Sequence, residues 1–172
     1  PFKEVPPQGA RAALKTALVC EMLAGLICGD MTPLYRRLYD EGAIAPDFSG
    51  EAMLLDGALN LVFGGETARP EYVRGLLLEE IARLHREGVD EELFTLCKNQ
   101  TYGGMVADLE HVTDVAAGLI SSYFRGWTPA DELACLASIT KQDMDEALAV
   151  MLDEARSATV IIRPAASGKE EQ

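Results

Sequence analysis

The spacing of hydrophobic residues changes twice along this chain, and these changes limit its fold more than any other feature. From about Ala10 to Cys28, apolar residues recur every three to four positions, as on one face of a helix. After Gly42 they recur at every second position as far as Leu54, which is typical of a strand with one solvated face. From Pro70 the helical interval returns. We therefore predict an α+β fold, a two-layer sandwich in which helices pack on one face of an antiparallel sheet.

Two paired strands are predicted over about 43–55 and 58–66. Asp56-Gly57 between them favours a type I′ hairpin turn, since both central residues of that turn need positive φ. Pro46 cannot donate to a strand ladder, so it indicates an edge or a bulge. A further strand is predicted over Ala158–Arg163, which is rich in β-branched residues.

Helix boundaries are predicted from capping residues and glycines. Threonine followed by proline, or by an aspartate three positions later, favours a helix start. The predicted starts are Thr32-Pro33, Pro70, Thr128-Pro129 and Thr140, and the predicted stops are Gly42, Gly88 and a break at Gly103-Gly104. The 172 residues suit one domain over 1–164, followed by a polar tail over 165–172. Because the chain opens without Met, we expect it to be a piece of a longer polypeptide.

The formal charge of −13 argues against nucleic acid and anionic membranes as partners, because both are polyanions. The longest apolar run, from Met22 to Cys28, is far shorter than the roughly 20 residues of a membrane span. The four cysteines contain no Cys-x-x-Cys pair, which favours core thiols in a reducing compartment. We therefore expect a cytoplasmic protein.

No complete catalytic or metal-binding set can be assembled from the sequence. The two histidines, His85 and His111, do not form His-x-x-Glu-His or its inverse, so no metal ligand is predicted in this chain. A nucleophilic pair of Cys97 and His111 stays open, since such partners meet in space, although an apolar setting for Cys97 disfavours its thiolate.

Six motifs in order nevertheless resemble the C-terminal, non-catalytic type of domain in insulinase/pitrilysin-like zinc peptidases, the family that includes the mitochondrial processing peptidases. The segments that carry this resemblance are Leu18–Ile27 with Cys28–Gly42, Phe63–Thr67, Arg69–Glu71, Glu87–Lys98, Ser138–Met144 and Ala158–Pro164. Among these segments, Glu87–Lys98 matches the family pattern Glu-Gly-(Val/Ile)-x-x-Glu-Glu-(Leu/Phe)-x-x-x-x-Lys. The resemblance covers almost the whole chain.

The resemblance implies a clamshell of paired α+β domains in which only the first half carries zinc and the second half closes over a peptide substrate. In active members the second half also supplies an Arg and a Tyr from the pattern Leu-Arg-x-x-x-Gly-Leu-x-Tyr. Here Tyr39 stands near the Arg position and Pro46 near the Tyr position, with Phe48 as the nearest aromatic residue. Tyr39 and Phe48 are therefore the candidate substrate-cleft residues, and direct help in the chemical step is in doubt.

These observations predict the substrate-enclosing, non-catalytic C-terminal domain of a zinc-dependent metallopeptidase, inactive when isolated. Its expected partners are a peptide substrate and an N-terminal catalytic half, or a sister subunit, that carries the zinc motif. The alternative is a scaffold or pairing module of a catalytically inactive peptidase homologue.

Overall fold

A computed structural model describes residues 2–4, 9–55 and 58–163, and over these ranges the chain forms three strands and seven α-helices. The strands are β1 (Phe2–Glu4), β2 (Ser49–Leu55) and β3 (Ala58–Gly64). The helices are α1 (Ala10–Cys28), α2 (Pro33–Asp40), α3 (Pro70–Glu87), α4 (Glu91–Asp108), α5 (Val112–Arg125), α6 (Pro129–Ser138) and α7 (Lys141–Val150). A short 3-10 turn, Glu154–Arg156, follows α7. The predicted α+β class is confirmed.

The sheet is antiparallel, with the strand order β1-β3-β2. Leu55 pairs with Ala58, so only the two residues of the predicted hairpin turn separate β2 from β3, and that turn lies outside the described residues. Ala52 pairs with Leu61, which places both side chains on the same face of the sheet. Leu59 and Leu61 are fully buried, whereas Glu51 and Met53 on the other face are exposed. The predicted alternation between a dry and a wet face is therefore confirmed.

Helix α1 lies across the dry face, and ten of its 19 residues are buried. The closest approach is at Gly50 of β2, where a Cβ would stand 3.2 Å from the carbonyl oxygen of Ala24 and 2.8 Å from the ring of Phe63. A side chain at this position would push the helix away from the strand. Glu21 of α1 also accepts a hydrogen bond of 2.9 Å from the amide of Ala52 on the outer edge of β2. The helix and the sheet are thus joined by apolar packing and by one polar contact.

All four predicted helix starts are confirmed, three of them with a capping hydrogen bond to a threonine, whereas α3 begins at Pro70 without a side-chain cap. Thr128 and Thr140 each form a complete capping box, with Asp131 and Asp143 as the reciprocal partners. The buried Thr32 accepts a hydrogen bond from the amide of Tyr35 at the start of α2. At the other end of this helix, Gly42 adopts a φ of 60°, a left-handed conformation that glycine adopts without strain.

Two predicted boundaries and one predicted strand are wrong. Strand β2 begins at Ser49 rather than Ala43, because residues 41–48 form a turn in which Phe48 donates to the carbonyl of Ala45. Helix α4 continues through Gly103-Gly104 and ends at Asp108, since two glycines cost a helix only about 1 kcal/mol each and need not break it. Residues 158–163 belong to no strand in the described part of the chain.

No single helix among the described residues has both the length and the apolar character to cross a membrane. Helices α1 and α2, bent by 45° at their junction, meet that test only as a pair and only by length and composition.

Candidate functional site

The turn over 41–48, between α2 and β2, is the region in which the sequence places the candidate substrate-cleft residues. Three contacts from the segment after β3 hold it in place. The amide of Ala45 donates to the carbonyl of Glu66 at 3.0 Å, and the Thr67 hydroxyl donates to the carbonyl of Ala43 at 2.6 Å. The guanidinium of Arg69 donates to the carbonyl of Glu41 at 3.0 Å. The turn is therefore fixed by backbone-directed hydrogen bonds.

Tyr39 lies in the last turn of α2 with 48% of its surface exposed. Its ring stacks on that of Tyr35 one helical turn earlier, with centroids 6.2 Å apart and planes inclined by 8°. The hydroxyl of Tyr35 donates to the carbonyl of Pro46 at 3.3 Å, which ties this aromatic pair to the turn. Partial desolvation, reinforced by the charge of Asp30, raises the pKa of Tyr35, so it stays a neutral donor. The pair presents a flat aromatic surface to solvent.

Phe48 takes a different position, because only 5% of its surface is exposed. Its backbone is covered by Gly65, where a Cβ would come within 2.4 Å of the Cα of Phe48. The ring lines a cavity of about 350 Å³ together with Phe63 of β3, Val73 and Leu77 of α3, and residues 157–161. The structure thus separates the two candidate residues, with Tyr39 on the surface and Phe48 in the core.

A polar cluster beside the turn was not predicted from the sequence. The Glu41 carboxylate accepts hydrogen bonds from the Tyr72 hydroxyl at 2.7 Å and from Arg37 Nε at 3.0 Å. Arg37 also donates to the Tyr72 hydroxyl at 3.1 Å, and the Arg69 guanidinium lies 4.7 Å from the centre of the Tyr72 ring. These contacts, led by the bond from Tyr72, lower the pKa of Glu41 and keep it ionised.

The only sequence signal for this cluster is the four-residue interval between Arg37 and Glu41, which puts both on one helical face. Tyr72 lies 31 positions after Glu41, so its contribution depends on how α3 packs against α2. Because Glu41 is ionised and already bonded to two donors, it is a poor general acid. We interpret the cluster as an anchor of the turn to the start of α3.

An open cleft of about 840 Å³ lies next to the turn. It is lined by Gly42–Ala45, by Gly64–Ala68 at the end of β3, and by Val160–Ile162. Val160 and Ile162 are 80% and 92% exposed, so the cleft has an apolar rim. Its walls supply backbone groups, small and apolar side chains and the single carboxyl group of Glu66, which can contact an extended peptide but offer no acid–base pair.

The donor set does not fit a catalytic zinc ion. Within the described residues, no three His, Cys, Asp or Glu side chains gather where they could hold a metal. His85 is exposed in the last turn of α3, and His111 is the exposed N-cap residue of α5. We therefore derive no metal-dependent step from this chain.

Cys97 and His111 are not brought together as a nucleophilic pair. Cys97 is buried on α4 and its thiol donates to the carbonyl of Met22 at 3.5 Å. His111 lies beyond the end of the same helix, so the two are separated by roughly 15 Å of helix axis. Burial raises the pKa of Cys97 to about 11, which disfavours the thiolate further.

A family model described as the inactive domain of M16 peptidases matches residues 2–101, more than half of the chain. The chain belongs to this M16 peptidase family. The resemblance indicated by the six motifs is therefore confirmed. The matched range of this M16 domain includes α1, the turn over 41–48 and the sheet, whereas residues 157–162 of the candidate site lie outside it.

Solved structures share the fold of this M16 domain. A candidate M16-like peptidase from Alicyclobacillus acidocaldarius superposes with a TM-score of 0.84 at 21% identity, over 90% of this chain and 37% of that chain. A protease from Helicobacter pylori superposes with a TM-score of 0.69 at 15% identity, over 90% of this chain and 38% of that chain. The inactive peptidase domain of a candidate zinc protease from Bordetella parapertussis superposes with a TM-score of 0.69 at 13% identity, over 90% of this chain and 86% of that chain.

The M16 domain spans little more than a third of the first two of these structures. No curated protein sequence matches the chain.

Proposed function

We propose that this M16 domain is the non-catalytic part of a zinc-dependent peptidase and that it encloses the peptide substrate, while the zinc site lies on another part of the parent protein or on a sister subunit. The observation that carries the proposal is the match of residues 2–101 to the inactive-domain model. The similarity to an inactive peptidase domain supports it.

Within this proposal the substrate lies along the cleft, between residues 42–45 of the turn and residues 64–68. A cleft with a rigid backbone wall and an apolar rim suits an extended peptide of varied sequence, since such a wall contacts the peptide without selecting particular side chains. The stacked pair of Tyr35 and Tyr39 adds an exposed aromatic surface on the same side of α2 as the turn. Tyr39 would contact the substrate, whereas Phe48 supports the cleft from below.

The first test asks whether the isolated chain has zinc chemistry of its own. We expect no peptide cleavage that a chelator removes and no stoichiometric zinc binding by calorimetry. Tight binding of one zinc ion per chain, or chelator-sensitive cleavage, would contradict the proposal.

The second test asks whether the cleft binds peptide. NMR spectra of the isotope-labelled chain are recorded with a short unstructured peptide of basic composition and with one of acidic composition. We expect amide shifts in residues 42–45 and 64–68 with at least one peptide, and weaker shifts in the Tyr39→Ala variant. The control is Val150→Ala, which trims an exposed apolar residue of α7 that does not line the cleft.

The alternative, a scaffold or pairing module of an inactive homologue, is favoured by one observation. Tyr39 and Pro46 occupy the positions near which active relatives of this family are expected to carry the Arg and the Tyr. If neither peptide shifts the cleft amides, the scaffold function becomes the better explanation.

We also propose a cytoplasmic location. The burial of Cys28 and Cys97, whose thiol pKa values are raised to about 12 and about 11, suits a protein that keeps its thiols reduced. Mass spectrometry of the protein after thiol capture in cells tests this, with all four cysteines expected as thiols.

A further inference from the structure

Helix α5 presents an apolar surface that nothing in the described chain covers. We define the α5 stripe as Val112, Leu119, Ile120, Tyr123 and Phe124. Their exposed fractions are 85%, 53%, 59%, 80% and 82%. Single exposed hydrophobic residues are common on protein surfaces, but five on one helical face are not.

The α5 stripe is also uncharged. Between Asp114 and Arg125 the helix carries no acidic or basic residue, in a chain whose formal charge is −13. Two copies of so acidic a chain repel each other over most of their surfaces. An uncharged face is therefore the place where two copies can meet at the lowest electrostatic cost.

The opposite face of α5 is fixed to the domain, so the helix cannot rotate to bury the stripe. Ser122 is buried and its hydroxyl donates to the Glu132 carboxylate at 3.0 Å. The indole of Trp127 donates to the same carboxylate oxygen at 2.6 Å, and Gly126 ends the helix with a φ of 85°. The stripe is thus presented by a helix that is held from behind.

A crevice of about 440 Å³ adjoins the stripe between α4, α5 and α6. Its walls include five apolar residues, Met105, Leu109, Val115, Leu119 and Leu133, and three acidic ones, Asp108, Asp114 and Glu132. Leu119 belongs to both the stripe and the crevice, so a protruding ring and a recess lie on one surface. Tyr123 and Phe124, in edge contact with centroids 5.7 Å apart, are the rings that protrude.

We propose that the α5 stripe is a self-association surface, on which a second copy of this chain packs its own α5 stripe around a two-fold axis. A two-fold axis places the same surface on both sides of the contact. An aromatic ring of each copy can therefore enter the crevice of the other, and one symmetric contact fills both crevices. This proposal does not depend on the proposed function.

The available area agrees with a dimer. Exposed Tyr and Phe side chains present on the order of 150 Å² each and exposed Val, Leu and Ile side chains about 100 Å² each, so the stripe together with Leu109 of the crevice offers on the order of 700 Å², close to what a stable dimer buries per partner. Because the contact is apolar while the remaining surfaces repel, added salt should strengthen it.

The test is sedimentation equilibrium of the purified chain over a concentration series at low and high salt. We expect a monomer–dimer equilibrium that shifts toward dimer with salt, and a weakening of the dimer by at least about tenfold in Ile120→Glu and in Phe124→Glu. Circular dichroism checks that both variants stay folded. The matched control is Val150→Glu, which places a charge at an exposed apolar residue of α7 and should leave the dimer intact.

Three outcomes would overturn the proposal. A monomer at every concentration would leave the stripe for a different partner. Open-ended aggregation in place of a dimer would show non-specific adhesion. A dimer that resists both α5 variants, or that Val150→Glu weakens equally, would place the interface elsewhere.

Discussion

Helices α1 and α5 are both rich in apolar residues, yet the fold treats them in opposite ways. Ten of the 19 residues of α1 are buried, whereas α5, with 14 residues, buries only Ser122. The difference lies in what each helix meets. The sheet covers α1, while α5 is fixed through the bond of Ser122 to Glu132 and leaves its apolar face outside.

This comparison teaches that an apolar face has two possible uses in one domain. Burial of the α1 face contributes stability, at roughly 25 cal/mol per Å² of apolar surface removed from water. The α5 face contributes nothing of that kind to the described chain, so its free energy is available for association. Substitutions in α1 should therefore change the free energy of unfolding, whereas substitutions in the α5 stripe should change the dissociation constant of the dimer.

The largest contrast is expected from truncating one apolar side chain in each helix. Leu23→Ala removes a fully buried side chain of α1 and should lower the free energy of unfolding by about 2 to 5 kcal/mol, through lost burial and the cavity left behind. Ile120→Ala, at low protein concentration, should change it by less than about 0.5 kcal/mol. Urea denaturation measures both. Equal losses would show that α5 is packed in the monomer.

Cysteine reactivity should show the next largest difference. Cys97 lies against α1 with its pKa raised to about 11, so at pH 8 its thiolate is roughly a hundredfold scarcer than for an unperturbed thiol. Alkylation of Cys97 in the native protein should be slower by at least that factor than in urea. Phe124→Cys on α5, at a protein concentration low enough to keep the chain monomeric, is the comparison, and its thiol should react at about the rate of a short peptide. Fast native labelling of Cys97 would contradict the packing of α4 on α1.

Adding one methyl group distinguishes the two environments at smaller scale. Gly50→Ala would place a Cβ against Phe63 and the backbone of α1, and should destabilise the protein by about 1 to 3 kcal/mol. Gly118→Ala in α5 meets no atom within 4 Å and should stabilise it by up to about 1 kcal/mol through helix propensity. Thermal unfolding measures whether each variant is more or less stable than the original chain. Stabilisation by Gly50→Ala would refute the close approach of α1 to β2.

The smallest effect concerns the ion pair of 2.6 Å between Lys15 of α1 and Asp143 at the start of α7. The bond from Lys15, followed by the amide of Thr140, lowers the pKa of Asp143. A lowered carboxyl pKa stabilises the fold above the unfolded-state value near 4 and loses that contribution as the pH falls through the folded-state value. Asp143→Asn should therefore cost about 1 kcal/mol or less at pH 7 and progressively less below about pH 4. Chemical denaturation at several pH values measures this.

The control for this pair is Glu146→Gln on the same helix. Glu146 accepts a hydrogen bond from Gln142, and a neutral amide oxygen can accept it equally well. The cost of this substitution should be small at pH 7. A pH-independent cost for Asp143→Asn would show that its role is capping alone.

Local features of the fold were predictable because their causes lie within a few residues. The capping boxes at Thr128 and Thr140 and the pairing of Leu55 with Ala58 follow from neighbouring residues and were confirmed. The break predicted at Gly103-Gly104 was wrong, because a weak local preference gives way when the flanking residues continue the helix.

The candidate site was less predictable because long-range contacts build it. Tyr39 and Phe48 lie nine positions apart in sequence, and nothing local indicates that one is exposed and the other covered by Gly65. The anchor of the turn depends on Tyr72 and Arg69 from the start of α3. The motifs identified the family, but the roles of individual residues needed coordinates.

The sequence by itself determined the β2–β3 hairpin, the capped helix starts, the apolar faces and the membership of the M16 peptidase family, since period, caps and motifs are properties of neighbouring residues. The tertiary structure decided which apolar faces are covered, where the cleft lies and which tyrosine meets solvent. Burial depends on what the rest of the chain places against a residue, and the apolar patterns of α1 and α5 do not contain that information.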